Sequence, residues 1–334
     1  MAEKLRIGVI GLGLIGSLHA RILSEAPHAQ LVAVTDVCGK TAKEYGERYS
    51  CNYYTDFRQM CDEEELDAVS ICTPDQFHAE NAIYAAQKGL HLLIEKPLAM
   101  TEAEARKIVL AADTAGVRMM VAQLLHFDPR YVKVKEAVRD GLIGDVIHMF
   151  FKRTNPRANG RRLGGKVSIF YFIGVHDIDM MCCYAQSRPI RAYCQRVSKV
   201  NADIGCEDTV MAIINFESGA VGTLELCWAL PQNSALGINT YAEIVGIEGA
   251  GYINIMDQGV SVITKDEVFY PDILNWPEYN GDILGNLKEE LHHFVSATQK
   301  GQPYIVDTEN AITAVKVIEA CFRSIETGLP VDIL

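Results

Sequence analysis

The sequence predicts an α/β protein in two parts: an N-terminal doubly wound Rossmann domain, then an α+β domain on a large open, mostly antiparallel sheet. Three observations predict it. An apolar run over 5–10 leads straight into Gly11-x-Gly13-x-x-Gly16 and a helical pattern, and a second apolar run closes on Asp36. From residue 5 to about 122, short apolar runs alternate with helical patterns, which marks a parallel sheet. Beyond 128 that alternation stops and strand patterns follow one another.

The opening motif suits a dinucleotide. Gly11 lets the chain turn tightly, Gly13 lets the backbone approach a pyrophosphate, and Gly16 lets the helix pack closely on the strand. Leu14 and Ile15 fall in the first helical turn, whose unpaired N–H groups and positive dipole end attract phosphate oxygens. The second strand, 31–36, ends in Asp36, whose carboxylate can accept from both ribose hydroxyls and would repel a 2′-phosphate. That favours NAD, while Lys40 keeps NADP open. Further strands are expected at 68–72, 91–95 and 117–122, with helices beginning near Ile15, Gly39, Phe57, Phe77 and Thr101. Thr101-Glu-Ala-Glu reads as a capping box.

In the second part a helix over 130–140 ends at Gly141. Strand patterns follow at 146–153, 190–197, 210–216, 222–228, 242–247, 252–256 and 260–264, broken by a helix at 175–185. Helices at 284–300 and 308–327 close the chain, with Gly328 and Pro330 as the stop. No flexible linker separates the parts. The expected division is 1–123, an NAD(P)-binding domain, and 124–334, a substrate-binding and oligomerisation domain.

Bulk properties narrow the class. The 334 residues suffice for two domains, and 49 % apolar with 22 % charged residues is an ordered globular composition. A formal charge of −12 argues against nucleic-acid partners. Arg157, Arg161, Arg162 and Lys166 form the densest basic group, read as a solvated loop or a contact for an anionic ligand. Lys4, Arg6 and the apolar run to Ala20 imitate a secretory signal, but the glycine spacing explains the same residues better. No run is long enough to span a bilayer, so no membrane association is expected. Ten scattered cysteines without a Cys-x-x-Cys pair read as reduced thiols of a cytoplasmic protein. The adjacent pairs Cys182-Cys183 and His292-His293 do not suit one ion, so no metal is expected.

Two strand ends and one helix start carry the chemistry. A strand stops at Thr73-Pro74, followed by His78; another stops at Glu95-Lys96-Pro97. An ammonium at Lys96 can hydrogen-bond a hydroxyl on a reacting carbon and steady the alkoxide as hydride leaves, or it can simply cap the strand with Glu95. Gly174-Val-His176-Asp177-Ile-Asp179 opens a helix on which His176 and either Asp179 or Met180 share a face, with Asp177 on another. His176 can accept a hydroxyl proton near neutral pH, or it can be a hydrogen-bonded core residue.

Together Gly11-x-Gly13-x-x-Gly16, Thr73-Pro74…His78, Glu95-Lys96-Pro97 and Gly174-x-His176-Asp177-x-Asp179 resemble the Gfo/Idh/MocA oxidoreductases, over nearly the whole chain. The resemblance implies NAD(P)-dependent chemistry at a secondary ring hydroxyl of a sugar, cyclitol or sugar derivative. It also implies a homodimer or homotetramer built on the C-terminal sheet. Lys96 and His176 match the family's catalytic lysine and histidine. Thr73, Pro74, His78 and Glu95 match cofactor-contacting positions, and Gln123 is a further candidate. Arg157, Phe172 and Tyr241 are candidates for contact with the sugar or polyol substrate. Two positions depart from the pattern: Phe172 stands where an aspartate often precedes the histidine, and His126 where arginine is common. The same hydride step used transiently would acidify the neighbouring C–H and give a redox-neutral lyase or hydrolase, and Phe172 leaves room for a cofactor-sensing regulator.

Overall fold

Six parallel strands form the first sheet, each ending where a helix or turn takes over. They are β1 (Leu5–Ile10), β2 (Ala29–Thr35), β3 (Asn52–Tyr54), β4 (Ala68–Ile71), β5 (His91–Glu95) and β6 (Met119–Ala122), in the order β3-β2-β1-β4-β5-β6. Between them run α1 (Leu14–Glu25), α2 (Gly39–Tyr49), α3 (Phe57–Glu63), α4 (His78–Gln87) and α5 (Glu102–Ala115). Ile7, Val9, Val34, Val69, Ile71, Leu92 and Ile94 are wholly buried, as strands covered on both faces require. The expected capping box starts α5: Glu104 N–H donates to Thr101 Oγ1 at 3.2 Å. The chain reverses its strand order between β1 and β4, which brings the glycine turn and the Thr73 turn side by side. β3, three residues long and largely exposed, carries too little pattern to be read from sequence.

The computed structural model describes residues 3–232, 234, 237–255 and 259–333. The second sheet has seven strands. After α6 (Pro129–Arg139) come β7 (Val146–Pro156), α7 (Ala158–Leu163), α8 (Val175–Ala185), β8 (Pro189–Val197), β9 (Thr209–Phe216), β10 (Val221–Leu230), β11 (Asn239–Gly246) and β12 (Ala250–Asn254). Two small hairpins follow, β13 (Val262–Ile263) with β14 (Val268–Phe269) and β15 (Glu278–Tyr279) with β16 (Asp282–Ile283). Helices α9 (Asn286–Lys300) and α10 (Thr308–Thr327) and strand β17 (Val331–Asp332) complete the chain. The order is β12-β11-β7-β10-β9-β8-β17, antiparallel except for β7 with β10. Alternate residues Met149, Phe151, Leu224, Leu226, Ala242 and Ile244 bury one face. There α8 packs, with Tyr184 6.1 Å from the Phe151 ring.

The chain divides into two units: Met1–Leu124 with Trp276–Ile312, and Leu125–Asn275 with Thr313–Leu334. The segment holding α9 thus groups with the first unit, a division that differs from the single cut expected after residue 123. Its apolar stripe, Leu287, Leu291, Phe294 and Val295, is buried, and periodicity marks such a stripe without saying which sheet it covers. The strand expected at 260–264 is only the short hairpin strand β13, outside the large sheet. Met256, expected to end another strand, lies outside the described residues. No disulfide joins the described cysteines. Among the described residues no helix is long and apolar enough to cross a membrane.

Candidate functional site

In the first unit the glycine turn has the geometry that a pyrophosphate needs. Gly11 has φ +90°, and a Cβ there would meet the Cys72 carbonyl oxygen at 2.7 Å. A Cβ on Gly16 would collide with the Gly11 carbonyl oxygen, so the close helix–strand approach requires glycine. At Gly13 the space is open. Gly13 caps α1 without a side-chain hydrogen bond, which leaves the first-turn N–H groups for a ligand. Leu14 and Ile15 border this opening, Leu14 being 64 % exposed. Asp36 is half-buried and accepts from Leu12 N–H at 2.9 Å and Cys38 N–H at 2.8 Å, which aims its carboxylate beside the turn. These residues fit a dinucleotide.

The neighbouring strand ends are tied together by His78. It is wholly buried, and its ring nitrogens face the Pro97 carbonyl oxygen at 2.7 Å and the Thr73 carbonyl oxygen at 2.9 Å. Asn81 Nδ2 donates to Thr73 Oγ1 at 3.0 Å. His78 therefore holds the two turns in place. Pro74 is exposed, and the Lys96–Pro97 peptide bond is cis. Lys96 is half-buried. Gln123, at the end of β6, is buried with neither amide atom hydrogen-bonded among the described residues.

Glu95 is held from two sides. Its Oε2 accepts the Lys96 backbone N–H at 3.2 Å, and its Oε1 lies 3.3 Å from His19 Nε2. Burial works against its ionisation, but His19 and then Lys96 keep it below the ordinary glutamate range. His19 is wholly buried on α1, with Nδ1 2.8 Å from Ser70 Oγ and 3.4 Å from Cys72 Sγ. Burial opposes a charged His19, yet Cys72 and Glu95 raise it well above the usual histidine range. Glu290 of α9 completes the group. Ligating atoms of His19, Glu95 and Glu290 lie within 4.8 Å of one another, the one such set among the described residues. Burial and then Glu95 push Glu290 well above the ordinary value, against the pull of His19. Sequence reasoning missed His19 and Glu290. A histidine on the buried stripe of Gly16, Ala20 and Leu23 was an available signal for the first; nothing local marked the second.

In the second unit a wide, π-type turn (Phe170–Gly174) leads into α8, where His176 is half-exposed. On α8, His176 and Asp179 stand three residues apart, His176 half-exposed and Asp179 buried. Asp179 is buried, with Oδ2 2.7 Å from His126 Nε2, while Lys135 Nζ lies 3.2 Å from His126 Nδ1. His126 thus meets a carboxylate on α8 from outside the helix. Asp177 is buried in a two-bond pair with Arg153, at 2.7 and 2.8 Å. Phe172 is half-buried, its ring centroid 6.0 Å from that of Trp228 and beneath the Arg162 guanidinium at 5.9 Å. Arg157 is exposed, and Arg161 pairs with Asp203 at 3.0 Å. Tyr241 stands in register with Lys152, on the sheet face away from Ala242, Phe151 and α8.

Two family models match the chain. Residues 5–123 match the oxidoreductase family with an NAD-binding Rossmann fold, and residues 131–251 match the GFO/IDH/MocA C-terminal domain. The NAD(+)-dependent scyllo-inositol 2-dehydrogenase of Bacillus subtilis is 28 % identical, over 100 % of this chain and 97 % of that protein. The myo-inositol 2-dehydrogenase of Thermotoga maritima is 26 % identical, over 96 % of each. Among solved structures, myo-inositol 2-dehydrogenase from Lactobacillus plantarum superposes with a TM-score of 0.86 at 25 % identity, covering 99 % of this chain and 100 % of that one. The fold is also that of scyllo-inositol dehydrogenase from Lactobacillus casei with bound NAD(H) and scyllo-inositol (TM-score 0.87, 21 % identity, 99 % of each chain).

Proposed function

This chain belongs to the GFO/IDH/MocA oxidoreductase family, and on that premise we propose that it oxidises a secondary ring hydroxyl of a sugar, cyclitol or sugar derivative with NAD. The observation that carries this reading is Lys96 at the carboxyl end of β5, in the same sheet as the glycine turn of β1. NAD, when bound, supplies the hydride acceptor.

The chain's own residues supply the rest. Asp36 takes the ribose hydroxyls, and the amides of Gly13, Leu14 and Ile15 take the pyrophosphate. The Lys96 ammonium donates to the substrate oxygen and stabilises the negative charge that grows on it. His176 accepts the hydroxyl proton. Phe172, with Arg162 above it, offers an apolar ring face to a sugar in place of a carboxylate. Arg157 is free of the burial that binds Arg153, and a phosphorylated or uronic substrate would engage it.

The outer face of the second sheet supports a homo-oligomer. Met211 is 57 % exposed and Tyr252 62 %, and Ile213, Phe150 and Tyr241 share their face by strand register. Light scattering of wild type and of Met211→Lys checks it: a smaller particle is expected for the variant, and equal masses would overturn the assignment.

The deciding experiment follows nicotinamide absorbance in stopped flow with a panel of inositols, hexoses, glycosides and sugar phosphates. Net reduction with one member is expected, and a rise followed by decay would replace it with redox-neutral chemistry. Lys96→Ala and His176→Ala should each lose ~10²–10⁴-fold in turnover while keeping NAD affinity. Wild-type turnover in either variant would sink its assigned role.

A further inference from the structure

Glu95 sits one residue before Lys96, and both its oxygens are already engaged, by His19 and by the Lys96 backbone. Behind it lies Glu290, wholly buried, with no hydrogen-bond partner for either oxygen among the described residues. A buried carboxyl without a partner is costly unless it has a task or a proton. We propose that Glu290 is a positioning residue for Lys96: with His19 it holds the Glu95 carboxylate, and so fixes the turn from which the Lys96 side chain projects.

Charge counting sets how Glu290 acts. Two carboxylates and one imidazole lie within 4.8 Å, His19 and Glu290 wholly buried and Glu95 mostly so, and both carboxylates cannot stay ionised there cheaply. Glu95 accepts the Lys96 backbone N–H and lies 3.3 Å from the His19 ring, while Glu290 has no hydrogen-bond partner among the described residues, so Glu290 keeps the proton. The protonated acid is a donor, which the remaining lone pairs of Glu95 can accept after a small rotation of the Glu290 carboxyl or through one water. The groups acting on Glu290 are Glu95 of β5 and His19 of α1; Cys72 after β4, Lys96 and His78 act on those two.

This inference rests on the reading that Lys96 acts on the substrate oxygen, and its test keeps the two separable. Glu290→Gln preserves a neutral donor; Glu290→Leu fills the volume without one. Turnover and KM are measured on the full chain, together with the acylation rate of Lys96 by acetic anhydride, read by peptide mass spectrometry on the substrate-free protein. Glu290→Gln should stay within about threefold of wild type in both turnover and acylation. Glu290→Leu should lose about tenfold or more in kcat with KM for NAD within about twofold, and shift Lys96 acylation by about threefold, without loss of Tm. Wild-type values for Glu290→Leu would overturn the proposal, as would a glutamine variant as impaired as the leucine one. A stoichiometric divalent ion that co-purifies and is lost in Glu290→Gln would also overturn it, by assigning the cluster to a metal. If Lys96→Ala retains turnover, the reading of Lys96 falls, and acylation alone still decides whether Glu290 positions that side chain.

Discussion

Each unit buries a histidine against carboxylates, and the two balance their charges differently. On α8, Asp177 has Arg153 at 2.7 Å, and Asp179 has His126 at 2.7 Å with Lys135 behind the ring at 3.2 Å. Each carboxylate there has its own positive or polarised partner. In the first unit, Glu95 and Glu290 share one imidazole, so one of them must keep a proton. A balanced pair resists removal of either member. An unbalanced group tolerates the loss of its surplus acid, and its protons respond to pH. The difference separates a scaffold from a poised site: the balanced pairs fasten α8, and the unbalanced one stands beside Lys96.

The largest effect expected from this contrast is at Asp177. Asp177→Ala strands a buried Arg153, whose guanidinium Asp177 holds above its ordinary pKa against burial. It should cost ~3–5 kcal/mol in calorimetry or urea unfolding. A loss below ~1 kcal/mol would mean that the pair is not the fastener it looks to be. His126→Ala comes next, leaving the buried Asp179 without its ring partner, at ~1–3 kcal/mol.

At Glu290 the sign should reverse. Glu290→Leu should leave stability unchanged or raise it, because it removes a buried acid without a partner. The pH dependence sharpens this. Glu290 is raised in the folded state, so its contribution is fully present below the unfolded value near 4.5 and is lost as pH rises through the folded value. Glu290→Gln should therefore gain on wild type between pH 5 and 8, by at most ~1.4 kcal/mol per pH unit. Glu95 runs the other way: lowered in the folded state, it withdraws stability as pH falls, and does so in both proteins. A Tm difference that stays flat from pH 5 to 8 would break the contrast. The smallest effect belongs to the exposed Arg161–Asp203 pair, where Arg161→Ala should cost under ~1 kcal/mol.

The parts of the site that could be read early obey local rules. Gly11 needs a positive φ, Gly16 needs the absence of a Cβ, and Asp36 ends a strand at a fixed distance along the chain. The same holds for Lys96, which follows an apolar strand and precedes a proline, and for α8, whose bounds match the pattern at 175–185. Each depends on a handful of consecutive residues, so twenty to thirty letters contain the information.

What the sequence by itself determined, then, was the order of strands and helices, the dinucleotide turn and the strand-end lysine, because backbone sterics and apolar periodicity act along the chain. Only the tertiary structure decided that α9 belongs with the first unit and delivers Glu290 to His19 and Glu95. It also turned Tyr241 to the outer face of its sheet, drew His78 inward to two carbonyls and paired Asp179 with His126. The physical reason is that periodicity marks a face without naming what covers it. Burial and charge pairing depend on partners brought together from distant parts of the chain, and no local pattern encodes them.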